Sequence, residues 1–211
     1  MPTKVKICGI ARPEDARCVV EAGADALGLN FVPESPRFLA SALAREISTD
    51  VAGSVRRVGL FVDADAAEVD AVLQEVVLDV LQFHGDEPGS YCEAFGVPYI
   101  KALRVRGPLD VSRIEAEYPN ACCLILDAYV SGLAGGTGER VDLAFWPERG
   151  VKPLVLAGGL TPENVAGAIS LAQPFGVDVS SGVEGPVKGE KDPERVKRFV
   201  SEVQRVGREG I

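Results

Sequence analysis

Two reactive side chains stand at the ends of short apolar runs: Cys8 follows the run ending in Ile7, and Asp127 follows CCLIL. An ordinary thiol, with a pKa of ~8.5, is only a few per cent thiolate at neutral pH. Cys8 is therefore either a small buried hydrophobe or a base that receives help from its surroundings. A carboxyl at the inner end of a buried run must be paired, solvated in a pocket or protonated, which suits Asp127 to general acid work. His84 is the only histidine, so mechanisms with two imidazoles or a His-rich metal site are excluded. It reads as a hydrogen-bonded strand-end residue or as a member of the site. In Ser35-Pro36-Arg37 the guanidinium is matched to a carboxylate, although lone surface arginines are common.

Two further segments combine glycine with small polar residues: Gly158-Gly159, leading into LTPENV, and Val179-Ser180-Ser181-Gly182. Glycines let backbone N–H groups approach an oxyanion, and a following helix N-terminus adds positive potential. Each taken alone simply ends a strand; both together suggest a phosphate site. Gly135-Gly136-Thr137-Gly138 is either a surface turn or a cover adding N–H groups to that site.

Positioning these residues requires a scaffold that collects strand ends. Short β-rich runs start near residues 5, 26, 57, 80, 99, 122, 153 and 176, a spacing of about one strand, one helix and two loops. Several are almost wholly apolar, as strands of a parallel sheet covered on both faces are. Helix-like segments lie between them. Pro13 to Ala22 closes at Gly23, Asp65 to Val76 is amphipathic, and Thr161-Pro162 and Asp192-Pro193 open two more. Such alternation leaves a closed barrel or an open doubly wound sheet. The first strand lacks the G-x-G-x-x-G loop of the open form, so the expected fold is α/β, a single (βα)8 TIM barrel over residues 1–211. In it Cys8, Asn30, Phe31, Asp63, His84, Lys101, Arg104, Asp127, Gly158, Gly159, Asp178, Ser180, Ser181 and Gly182 gather at one end. The two glycine and serine segments follow strands 7 and 8, where barrels commonly build phosphate sites.

Composition narrows the partners. The 22 Lys and Arg face 31 Asp and Glu, a net charge of −9, with no basic stripe for nucleic acid. No apolar run is long enough to span a bilayer. Five cysteines without metal-type spacing, and an N-terminus without a secretory pattern, point to the cytoplasm.

KICGI (6–10, with Lys6 first), SPRF, LQFHGDE, LILDA with GGTG, LAGGLTPENV and GVDVSSGVE with KD at 191–192 together resemble the phosphoribosylanthranilate isomerase family. The resemblance implies an Amadori rearrangement in tryptophan biosynthesis, converting N-(5-phosphoribosyl)anthranilate to 1-(2-carboxyphenylamino)-1-deoxyribulose 5-phosphate. It implies Cys8 as general base, Asp127 as general acid and Arg37 on the anthranilate moiety. It places Gly136, Gly158, Gly159, Ser180, Ser181 and Gly182 at the phosphate, and His84 and Asp178 in the site. The iminium formed on ring opening acidifies the C–H to be broken, so neither metal nor organic cofactor is expected. The partner is this small phosphorylated substrate. Two departures stand out: Phe83 where the family commonly has Leu, and the connection EGPVKGEKD at 184–192. A metal-dependent pentose-phosphate epimerase and a silent phosphometabolite-binding barrel are the competing readings. The single histidine argues against the first.

Overall fold

The computed structural model describes residues 2–127, 143, 145–147 and 151–209. Eight parallel strands close into a barrel in sequence order: β1 (Lys4–Ile7), β2 (Ala26–Asn30), β3 (Arg56–Phe61), β4 (Val80–Phe83), β5 (Tyr99–Arg104), β6 (Leu124–Asp127), β7 (Leu154–Ala157) and β8 (Gly176–Val179). Closure is made where β1 pairs with β8, Lys4 opposite Gly176 and Ile7 opposite Val179. The helices α1 (Pro13–Ala22), α2 (Ser41–Asp50), α3 (Ala66–Glu75), α4 (Gly89–Cys92), α5 (Val111–Glu117), α6 (Val165–Ala172) and α7 (Pro193–Glu209) lie between or after strands. The barrel expected from the spacing of apolar runs is therefore present.

Side-chain alternation along each strand divides the apolar residues into two cores. Val58, Val80, Ile100, Ala102, Cys123, Ile125, Val155 and Ala157 fill the inside of the barrel. A larger shell, including Leu27, Leu29, Leu81, Phe83, Leu124, Leu156, Phe199 and Val200, packs strands against helices. Phe83 is fully buried there, among the rings of Phe61, Tyr91, Phe95 and Tyr99.

Local signals set several helix ends. Asp65 accepts from Glu68 N while Glu68 reaches back to Asp65 N, a complete capping box for α3. Asp192 Oδ1 accepts from Glu194 N and Arg195 N at the start of α7. The turn leading into α6 opens at Thr161 as expected, its Oγ1 accepting from Glu163 N at 3.2 Å and its carbonyl from Val165 N at 3.1 Å, with regular helix from Val165 onward. The Asn164 side chain turns backward, accepting from Thr161 N at 2.8 Å and donating to Gly159 O at 2.9 Å. Those bonds tie this opening turn to Gly159.

Candidate active site

The C-terminal ends of the strands surround a cleft of about 370 Å³, lined by Cys8, Arg37, His84, Asp127, Gly158, Gly159, Asp178, Ser180, Ser181 and Gly182, among others. The residues to which the sequence assigns a catalytic, substrate or phosphate role, and which lie among the described residues, all border this one space. Gly136 lies outside the described residues.

Asp127 ends β6 with one carboxylate oxygen 3.6 Å from His84 Nε2. Its other oxygen, Oδ1, is buried and has no partner among the described residues. Cys8, on the far side of the ring, is buried. β8 and β7 separate its strand from β6. Asp178 reaches the same side from β8, where its Oδ1 accepts from Lys6 Nζ at 2.9 Å.

The loop after β2 is braced by Asn30, which donates to Ser35 Oγ and accepts from Val32 N. Ser35 Oγ in turn accepts from Arg37 N. The Arg37 guanidinium then forms a two-pronged pair with Glu184, Nε at 2.5 Å and Nη2 at 3.0 Å. Lys191 completes the group, donating to Glu184 Oε1 at 3.2 Å and to Ser180 O at 3.1 Å. Burial works against the Glu184 carboxylate, yet Arg37 and Lys191 outweigh it and hold its pKa below the usual range. For Lys191 burial wins, lowering the ammonium's pKa against the pull of Glu184 and Cys8.

Gly158 and Gly159 both sit at positive φ, 92° and 63°, a region that glycine enters without penalty. Opposite them Ser181 and Gly182 open a short 3₁₀ turn, Ser181–Val183. The leading N–H groups of such a turn find no acceptor inside it. An anion between the two loops would meet backbone amides from both sides.

Residues 5–202 match the family model for N-(5'phosphoribosyl)anthranilate (PRA) isomerase. The chain belongs to this family. It is 52% identical over 197 residues to N-(5'-phosphoribosyl)anthranilate isomerase of Cellvibrio japonicus, covering 93% of this chain and 91% of that one. The crystal structure of phosphoribosyl anthranilate isomerase from Thermotoga maritima superposes with a TM-score of 0.86 at 38% identity, covering 96% of this chain and 99% of that one. A phosphoribosyl anthranilate isomerase solved with reduced 1-(o-carboxyphenylamino)-1-deoxyribulose 5-phosphate is also 38% identical, with a TM-score of 0.81 and coverage of 96% and 99%.

Three strand-end residues do not join the cleft: Phe31, which stacks on Phe61 against the outer apolar shell, Asp63 and Lys101. Lys101 lies between the inward-facing Ile100 and Ala102, so alternation turns it toward the helices. There it is 1% exposed and pairs with Glu87 at 2.6 Å, also donating to Gly85 O. Asp63 is occupied nearby, accepting from Asp86 N while its own N–H donates to Glu87. Both brace the loop that follows His84.

Gln82 is a cleft residue that was missed, as were Lys6, Glu184 and Lys191, which stand behind the lining and are bonded to Asp178, Arg37 and Ser180 in it. Gln82 lines the cleft and is fully buried, and neither atom of its amide has a partner among the described residues. Counting back two positions from Cys8 and from His84 would have found Lys6 and Gln82, because alternate strand residues share a face. Glu184 and Lys191 fall within quoted motifs, but their pairing with Arg37 needs the fold.

Proposed function

We propose that this chain isomerises N-(5'-phosphoribosyl)anthranilate to the corresponding 1-amino-1-deoxyribulose 5-phosphate, an aldose-to-ketose conversion in tryptophan biosynthesis, as a single cytoplasmic (βα)8 domain. One observation carries the reading: in a chain of this family, a thiol and a carboxyl line opposite sides of one cleft that also holds a guanidinium and two glycine–serine loops.

The substrate's phosphate rests between Gly158-Gly159 and Ser180-Ser181-Gly182, and its carboxylate faces Arg37. Protonated Asp127 donates to the furanose ring oxygen. The C1′–O bond breaks, and the nitrogen lone pair forms the C1′=N iminium. Cys8 thiolate removes the C2′ proton, and the released electron pair forms C1′=C2′ while neutralising the nitrogen. Return of a proton to C1′ and loss of the 2′-hydroxyl proton give the ketone. His84 and Asp178 border the sugar on either side of this path. General acid–base steps contribute about 10²–10⁴-fold each, and holding both ends of the substrate adds the benefit of orientation.

The deciding experiment follows the loss of fluorescence of freshly prepared phosphoribosylanthranilate. Asp127→Asn and Cys8→Ser are each expected to lower kcat by at least about 10²-fold while product analogues still bind. Near-normal turnover by either variant would remove that residue from its role. No turnover by the native chain, with binding retained, would instead favour a silent binding protein.

A further inference from the structure

The proposed reaction asks Arg37 to hold the substrate's carboxylate, yet a long side chain on a loop can point its guanidinium in many directions. Here the stem is clamped. A methyl group placed on Gly9 would collide with Arg37 Cδ and lie 3.3 Å from its Cγ, so the stem crosses directly over this glycine. Gly189 closes from another side, where a methyl group would lie 2.9 Å from Pro36 O and 3.8 Å from Arg37 Cγ. Gly9 belongs to the loop after β1 and Gly189 to the connection between β8 and α7. Two segments thus hold a side chain that belongs to a third.

The guanidinium at the end of this stem offers a carboxylate two edges: the side edge, Nε with Nη2, and the end edge, Nη1 with Nη2. Glu184 takes the side edge. Nη1 has no partner among the described residues, so the end edge is left. Arg37 borders the cleft and Glu184 does not; the Arg37 side chain is 18% exposed and that of Glu184 only 6%. The carboxylate therefore stands behind the guanidinium, not between it and a ligand.

Glu184 is itself fixed. The fully buried Lys191 donates to it and to Ser180 O. Gly185 N donates to Glu190 O and Asp192 N to Val183 O, pairing the two arms of the connection. The far arm is tied to α1, where Asp15 accepts from Lys191 N and from Arg12, and Arg12 also pairs with Glu190. The connection 184–192, where the sequence departs from the family's usual pattern, is a folded brace behind Arg37.

We propose that Glu184 is a positioning residue: by occupying the side edge of Arg37 it presents the end edge to the cleft, and so sets the preference for an arylamine that carries a carboxylate over one that does not. This inference rests on the reading of Arg37 as the partner of the substrate's carboxylate. A guard that keeps Arg37 away from the ligand would use the same pair, but predicts the opposite sign when Glu184 is removed.

The test compares two probes by isothermal titration calorimetry: reduced 1-(o-carboxyphenylamino)-1-deoxyribulose 5-phosphate, and the same compound without its carboxyl group. The native chain should prefer the first by about 10²-fold, and Arg37→Leu should erase that preference. Glu184→Gln should cut it about tenfold by weakening the carboxylated probe alone, the other staying within about threefold of its native affinity. Adding Glu184→Gln to Arg37→Leu should change nothing further, because Glu184 acts through Arg37. In turnover the loss should appear in KM and not in kcat. Equal weakening of both probes would leave Glu184 with a structural role only, and tighter binding of the carboxylated probe would make it a guard. Either result overturns the proposal, as does an unchanged preference. Should Glu184→Gln fail to fold, Glu184→Asp, which keeps the charge but draws it back by one methylene, is read by the same outcomes. A native chain that binds both probes alike would sink the reading of Arg37 and this inference with it. A preference that Arg37→Leu erases and Glu184→Gln spares would sink this inference alone.

Discussion

Gln82 presents an amide to the cleft with neither its nitrogen nor its oxygen partnered by the described chain. Leaving such groups unsatisfied in a folded interior costs about 1–3 kcal/mol each, so a fold tolerates them where a bound molecule satisfies them. Gln82→Leu should therefore leave the fold as stable as before, or more stable by about 1 kcal/mol, while raising KM by about tenfold through the lost contacts. Urea denaturation and steady-state kinetics on the same preparation check both halves, and an unchanged KM would make the amide a bystander. The reason Gln82 escaped notice is instructive beside Cys8 and Asp127. Those two stand at strand ends, where a polar residue interrupts an apolar run and is visible in the sequence. Gln82 and Lys6 sit within their strands, where only the alternation of faces, carried back from His84 and Cys8, distinguishes a cleft residue from a polar interruption. Arg37 was legible as a carboxylate partner, but not its engagement by Glu184, which lies 147 residues away.

At the scale of elements, the strand starts were legible to within two residues because most strands are largely apolar runs bordered by polar residues or glycine. The turn into α6 was legible at Thr161, although the backward bonds of Asn164 that tie it to Gly159 were not. Lys101 was misplaced because its charge suggested the cleft, while its neighbours Ile100 and Ala102 already occupied the inward face. Its pairing with Glu87 gives that correction a consequence. Glu87 also accepts from the N–H groups of Asp63 and Gly85, so one buried pair ties β5 to the loops that follow β3 and β4. Breaking a buried pair on one side leaves a charge without compensation, which typically costs about 3–5 kcal/mol. Lys101→Met should lose that much stability in chemical denaturation. Lys101→Met combined with Glu87→Gln should recover part of it, since the stranded charge is then gone. Equal losses in the single and double variants would show that packing, and not the charge pair, holds these loops.

The whole molecule carries a net charge of −9, and its buried proton-bearing groups dictate how stability changes toward alkaline pH. Burial pushes the Cys92 thiol up to about 11 and the Cys123 thiol up to about 12. Burial, then Glu93, pushes the Tyr99 hydroxyl up to about 12. Each of these groups keeps its proton in the folded chain at a pH where the unfolded chain has begun to lose it. Above about pH 9, the ordinary value for a thiol here, the folded state binds more protons than the unfolded one, so stability falls as pH rises. Lys6 acts in the same sense. Its raised pKa contributes stability that is complete below the ordinary lysine value of 10.5 and is lost as pH rises through the folded one. Depressed carboxylates work at the other end. Asp79, held below its usual range mainly by hydrogen bonding to Arg57, and Glu184, held down by Arg37 and Lys191 against burial, stabilise the fold above their ordinary values and cease to do so in acid. Stability should thus form a plateau through neutrality and decline by about 4 kcal/mol between about pH 9 and 10.5. Urea midpoints across that range measure the decline. Cys123→Ala should lower the plateau by opening space inside the barrel but flatten the alkaline slope, because it removes one of the groups that titrate late. A slope as steep in Cys123→Ala as in the native chain would mean that this thiol, despite its place among Val155, Ile125 and Ala102 in the barrel interior, ionises without opposing the fold.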